Sequence, residues 1–169
     1  MIPTLHTDRL TLRPFRRDDF DAYAAFMGSE RASEMGGPID KDKAWTWFTN
    51  DIATWPLYGF GSLAIEVEGA FAGSAGLVHP PHFPEPECGW FLFDGFTGKG
   101  YAQEAGRAML DHTFATTHLN TIVSYIGENN AASIRVAEAL GGKLDPNAKA
   151  PEDIGTLVYR HHRTGAPNV

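Results

Sequence analysis

A strand that passes through a glycine turn straight into a helix is the feature that most limits what this chain can fold into. The run Cys88-Gly89-Trp90-Phe91-Leu92-Phe93 has strand character, Phe96-Thr97-Gly98-Lys99-Gly100-Tyr101-Ala102 makes the turn, and Tyr101 to Thr117 reads as a helix. The first turn of a helix has backbone N–H groups without partners, and the macrodipole adds positive character there. Gly98 and Gly100 carry no side chain to hold a pyrophosphate away from that backbone. Gly98, Lys99, Gly100, Tyr101 and Ala102 are therefore the candidate phosphate cradle.

Spacing narrows the ligand. A nucleotide P-loop needs Gly, four residues, then Gly-Lys-Ser/Thr. Here Gly98-Lys99 is followed by Gly100, and Phe93 stands where the first Gly is required, which argues against an ATPase. A dinucleotide fingerprint needs Gly-x-Gly-x-x-Gly, and Gln103 fills its last position. A second strand-to-helix unit follows: Thr121-Ile122-Val123-Ser124-Tyr125-Ile126 leads into Asn130-Ala131-Ala132-Ser133 and a helix ending Leu140-Gly141-Gly142.

This order of parts resembles the GNAT superfamily of N-acetyltransferases, most of all its RimJ/RimL-type branch. The opening Thr7-Asp8-Arg9-Leu10-Thr11-Leu12-Arg13 is similar to that branch's T-x-R-L-x-L-R start, and Gly98-Lys99-Gly100-Tyr101-Ala102-Gln103-Glu104-Ala105 to its acetyl-CoA loop. The likeness runs from about Thr7 to Arg163. Two positions depart from the superfamily pattern: Gly95 replaces the usual Gln or Arg of the loop, and Gly142 replaces the aromatic of Leu-Gly-Phe. The resemblance implies acetyl-CoA as co-substrate, no metal, and an amine acceptor, either a small molecule or a protein N-terminus. It also implies that the core strand splays from its neighbour and pairs its free edge with pantetheine, so that Phe91, Leu92 and Phe93 line the cofactor arm. A non-catalytic acyl-CoA sensor or subunit is the alternative that the phosphate loop alone would also serve.

At 169 residues with 43% hydrophobic content, the chain suits one globular domain, expected over residues 7–163 with a flexible tail at 164–169. No apolar run has the length of a membrane span, Met1-Ile2-Pro3-Thr4 is unlike a signal peptide, and the single Cys88 fits a reducing compartment, so a cytoplasmic protein is expected, monomer or homodimer. A net charge of −7 with no basic patch argues against nucleic-acid binding and suits a cationic substrate.

Periodicity predicts a strand at Leu10–Pro14, a helix at about Asp18–Met27 capped by Asp18, and a break at Gly36-Gly37-Pro38. A second helix should start at Asp40, with Trp45, Phe48 and Ile52 at helical spacing and Trp47 facing outward. Strands at Ser62–Val67 and Phe71–His79 should join through Glu68-Gly69, the proline-rich 79–86 stretch should be a loop, and a last strand should lie near Thr156–His161. Antiparallel hairpins followed by strand–helix–strand units predict an α+β fold, with a mixed, mostly antiparallel sheet and helices on both faces. The strands from Glu87 and Thr121 should be parallel neighbours that diverge.

Acetyl transfer to an amine needs a base for the amine proton, donors for the oxyanion, and a proton for the thiolate. Glu87, at the head of the core strand, is the candidate base; the alternative is a solvated strand-end carboxylate like Glu85. Ser133 is the candidate acid and Asn130, one turn earlier, shares its helix face toward the pantetheine, unless Asn130 is only an N-cap and Ser133 a surface hydroxyl. Tyr101 and Tyr125 are rival acids with structural roles as the simpler reading, and the oxyanion donor should be a backbone N–H between Gly89 and Phe93. Cys88 reads as a buried apolar residue. His79 with His82 lacks a third ligand, and His161-His162 point to opposite sides of a strand, so neither pair suits a metal.

Overall fold

Leu5–His6 (β1) and Thr11–Arg13 (β2) form the opening hairpin, with Leu5 opposite Leu12. The computed structural model describes residues 1–152 and 157–163. A 3-10 turn at Arg17–Asp19 precedes the helix Phe20–Met27 (α1). Asp19, not the expected Asp18, organises this start. Its buried carboxylate accepts from the Arg16 N–H at 2.7 Å and takes two bonds from Arg13, at 2.8 and 2.9 Å, while Asp18 stays exposed. A bidentate pair of this kind ties β2 to the helix that follows.

A further 3-10 segment, Glu30–Met35, ends at Gly36, where the sequence predicts the break. The second helix, Lys41–Tyr58 (α2), starts as expected: Asp40 accepts the Lys43 N–H at 2.8 Å. Ala44, Phe48 and Trp55 face inward. The outward tryptophan is Trp45, 42% exposed, whereas Trp47 is half-buried against the α1/α2 aromatic cluster. The expectation for Trp47 is thus not met: Trp45 is the more exposed of the two, and Trp47 packs partly against the α1/α2 cluster.

Ser62–Val67 (β3) and Ala70–Val78 (β4) join through Glu68-Gly69, with φ of 49° and 83°, the left-handed pair of a two-residue hairpin loop. Glu87–Leu92 (β5), the helix Tyr101–Thr116 (α3), Thr121–Ile126 (β6), the helix Ala131–Ala139 (α4), Lys143–Leu144 (β7) and Leu157–His162 (β8) complete the order. The last strand therefore runs through His162; Thr156 and the expected tail 164–169 lie outside the described residues.

The sheet runs β1-β2-β3-β4-β5-β6-β8-β7, and every neighbouring pair is antiparallel except β5–β6. That pair separates as predicted. It shares the single paired position Glu87↔Val123, beside the bond from the Val123 N–H to the Pro86 carbonyl at 3.1 Å. Meanwhile β5 follows β4 to Leu92 and β6 follows β8 to Ile126. Residues on β5 alternate between faces: Cys88 and Leu92 join Met109 and Leu110 of α3, and Phe91 joins Tyr23 and Phe26 of α1 and Phe48 of α2.

Candidate active site

The glycine turn has the predicted geometry. Gly98 and Gly100 take φ of 74° and 80°, and Gly100 is the residue at which α3 begins. The first N–H to enter the helical ladder is that of Glu104, donating to the Gly100 carbonyl at 3.1 Å. The N–H groups from Gly98 to Gln103 find no backbone acceptor among the described residues, and a Cβ on Gly98 would meet open space. A helix start with unpaired N–H groups of this kind is suited to an anion.

The opening motif explains itself here. Glu104 in the first turn of α3 accepts from Thr7 Oγ1 at 2.6 Å, from the Arg9 N–H at 2.9 Å and from Arg9 Nε at 2.7 Å. Arg9 Nη1 then donates to the Lys99 carbonyl at 2.8 Å, and its guanidinium lies 4.8 Å from the Tyr101 ring. Thr7 and Arg9 therefore brace the cradle from outside. Lys99 itself is exposed. Sequence reasoning placed Thr7 and Arg9 in a motif without assigning this contact, which joins residues some ninety positions apart.

Beside the cradle lies the split between β5 and β6. The Phe93 N–H donates to the Ala72 carbonyl on β4 at 2.8 Å, so alternation turns the backbone groups of Cys88, Trp90 and Leu92 toward the edge that β6 leaves. The Cys88 carbonyl accepts from Ser124 Oγ at 2.7 Å, and the Leu92 carbonyl from Arg31 Nη2 at 3.2 Å. Arg31 also pairs with Asp94 and so closes the far end. Between these two plugs the main chain of Trp90 and the Leu92 N–H face the slot. Of the three residues expected to line the cofactor arm, only Leu92 turns a backbone group to the slot; the main chain of Phe91 and Phe93 faces β4, the Phe91 ring stacks on Phe26 at 4.7 Å, and the Leu92 side chain is buried in the main core.

Glu87 stands where the strands part, and its carboxyl folds over Gly89, whose Cβ, if present, would lie 3.2 Å from Oε1. Burial pushes this carboxyl up to about 7; the Tyr125 backbone N–H works against the shift and the charge of Asp51 adds to it. Asp51, on α2, is itself pushed up to about 7 by burial and accepts from the Tyr23 hydroxyl at 3.5 Å. Sequence reasoning missed Asp51. The available signal was an acid at helical spacing within the inward stripe Ala44, Phe48, Trp55.

On the other wall, Asn130 caps α4 by accepting the Ser133 N–H at 3.1 Å, so its capping role is real, and its amide nitrogen has no partner among the described residues. Ser133 is half-buried on the first turn of α4. The Tyr125 hydroxyl accepts the Glu85 N–H at 3.2 Å, within a cluster with Phe83 and Val158. Ser124, having donated to Cys88, accepts from His161 Nε2 at 3.1 Å, which leaves Nδ1 buried and unpartnered. A side chain at position 142 would meet His161 Cε1 at 2.7 Å, so Gly142 makes room for the imidazole. Cys88 is fully buried, as expected. Among the described residues no three His, Cys, Asp or Glu side chains gather as metal ligands, and no helix is long and apolar enough to cross a membrane.

Residues 9–143 match the acetyltransferase (GNAT) domain family, and the chain belongs to it: an N-acetyltransferase. The crystal structure of the acetyltransferase from Agrobacterium tumefaciens C58 is 46% identical, covers 96% of each chain and superposes with a TM-score of 0.92. The FsC-acetyl coenzyme A-N(2)-transacetylase of Aspergillus fumigatus is 29% identical over 82% of this chain and 64% of its own length. The RimL ribosomal L7/L12 alpha-N-protein acetyltransferase, solved with coenzyme A, shares the fold at 16% identity, covering 95% of this chain and 98% of that one, with a TM-score of 0.72.

Proposed function

We propose that the chain transfers the acetyl group of acetyl-CoA to a primary amine by direct attack, with Glu87 as the base. The observation that carries this reading is the adjacency of three things: unpaired N–H groups from Gly98 to Gln103, a slot between β5 and β6, and Glu87 at the slot's closed end. In this reading the cradle holds the pyrophosphate, and the Trp90 main chain with the Leu92 N–H lines the pantetheine and the oxyanion. Bound there, acetyl-CoA supplies a thioester carbonyl. A new N–C bond forms, the C–S bond breaks, the amine's proton passes to Glu87, and the thiolate takes a proton through Ser133, held beside the Asn130 cap, as water returns a proton to the Ser133 hydroxyl.

A carboxyl poised near neutrality suits this role, since it is partly ionised at pH 7 and releases its proton readily afterwards. The Thr7–Arg9–Glu104 brace supports placement in the RimJ/RimL-type branch, whose opening motif it uses. The test is thiol release from acetyl-CoA across a panel of amines, together with calorimetry of acetyl-CoA. Binding without thiol release for any amine would leave a carrier or sensor; no binding would overturn the site.

A further inference from the structure

We propose that Asp51 anchors a positive charge of the acceptor beside Glu87, and that the acceptor is an amine bearing a second cationic group. This rests on the acetyl-transfer reading and extends it to the substrate class. Tyr23 of α1 and Asp51 of α2 meet at 3.5 Å, on the face of β5 that carries Glu87, Gly89 and Phe91. Gly89 carries no side chain, and the Glu87 carboxyl folds into the space one would take. Phe91 and Phe48 wall this side, and Trp47, four residues before Asp51, lies one turn away on the same helix face. Carboxylates against aromatic rings make a site for ammonium groups.

The charges are unbalanced. No Lys or Arg pairs with Asp51 or Glu87 among the described residues. Arg13 is taken by Asp19 and Glu66, and Arg160 by Glu85 and Asp145. Lys43, two turns before Asp51, lies 5.6 Å from the Trp47 ring. The other titratable groups near Glu87 are Tyr125 of β6, Cys88, its chain neighbour on the opposite face of β5, and Tyr23 behind Asp51. All three are pushed up by burial, so they are neutral at pH 7 and add no cation. Asp51 is itself pushed up to about 7, so a cation placed beside it draws off its proton and holds it as the carboxylate. A second cationic group on the acceptor pairs with it, which a monoamine cannot do.

The test compares α,ω-diaminoalkanes with the matching monoamines, by calorimetry on the CoA-loaded protein and by thiol release. Diamines should bind about tenfold more tightly or better, the scale of one charge-assisted contact. Asp51→Asn should erase that preference and leave the Kd for acetyl-CoA unchanged. It should also move the acidic limb of the pH–rate profile to lower pH, because Glu87 loses a negative neighbour. A wild-type protein without the preference, or a folded Asp51→Asn protein that keeps it, overturns the proposal. If Asp51→Asn does not fold, Tyr23→Phe carries the test: deleting one hydroxyl donor should weaken the preference about fivefold, and an unchanged preference overturns it. Loss of thiol release for every amine would instead overturn the transfer reading, while the binding comparison still decides Asp51.

Discussion

Two titratable residues, half-buried Glu87 and buried His161, set opposite pH dependences. Glu87 binds its proton more tightly when folded, so its contribution to stability is present at low pH and lost as pH rises from the ordinary carboxyl range through about 7. Glu87→Gln should therefore raise Tm at pH 8 more than at pH 5. It should also lower kcat by about 10²–10⁴-fold and remove the acidic limb near pH 7, as read in a pH–rate profile. His161 acts the other way. Burial, aided by Arg107 and His162, pushes it down to about 4, so stability is complete above its ordinary range near 6.5 and is lost as pH falls toward 4. Denaturant titrations of His161→Gln between those limits should lose that slope, worth about 3 kcal/mol at most. Gly142→Phe should destabilise by driving a ring into the same imidazole, an overpacking cost of about 1–3 kcal/mol.

At the scale of elements, the glycine turn before α3 is the joint to break. Gly100→Val places a β-branched residue at φ 80°, so calorimetry should show acetyl-CoA binding weakened by at least tenfold in a protein that still folds, whereas exposed Lys99→Ala should change it little. The strand, turn and helix here were legible because each follows from local chemistry: alternation in β5, glycine at left-handed positions, apolar spacing in α3. The hairpin turn Glu68-Gly69 and the Asp40 cap were legible for the same reason. Other features depended on partners distant in sequence. Asp19 displaced Asp18 because Arg13 of β2 was there to bind it, and Trp47 packed partly inward because the α1/α2 cluster offered a surface. Asp51 escaped notice because its acid character has meaning only beside Glu87, thirty-six positions on. Gly142, which read as a departure from pattern, proves to be the partner of an imidazole on β8.

Over the whole molecule, β5 and β6 meet at one paired position, so the sheet is five strands and three strands joined by a narrow seam. Few rungs cross that seam, and the joining rests on β5 lying beside β6 and on α3 touching α4. Amide exchange should be faster for β5 and β6 beyond Cys88 than for β3 and β4, and acetyl-CoA, on our proposal, should slow it on both sides at once. A ligand seated in the slot adds to stability by mass action, about 2.7 kcal/mol when present at a hundred times its Kd. Thermal melts over a range of acetyl-CoA concentrations check this; a Tm indifferent to ligand would mean that the seam is closed by protein alone. If it holds, the lifetime of the chain is coupled to its own fuel. With the slot empty, the two parts of the sheet open more often and proteases find the backbone; with it filled, they are held shut. Abundance of this protein in a cell would then follow acetyl-CoA supply with no regulator beyond the seam itself.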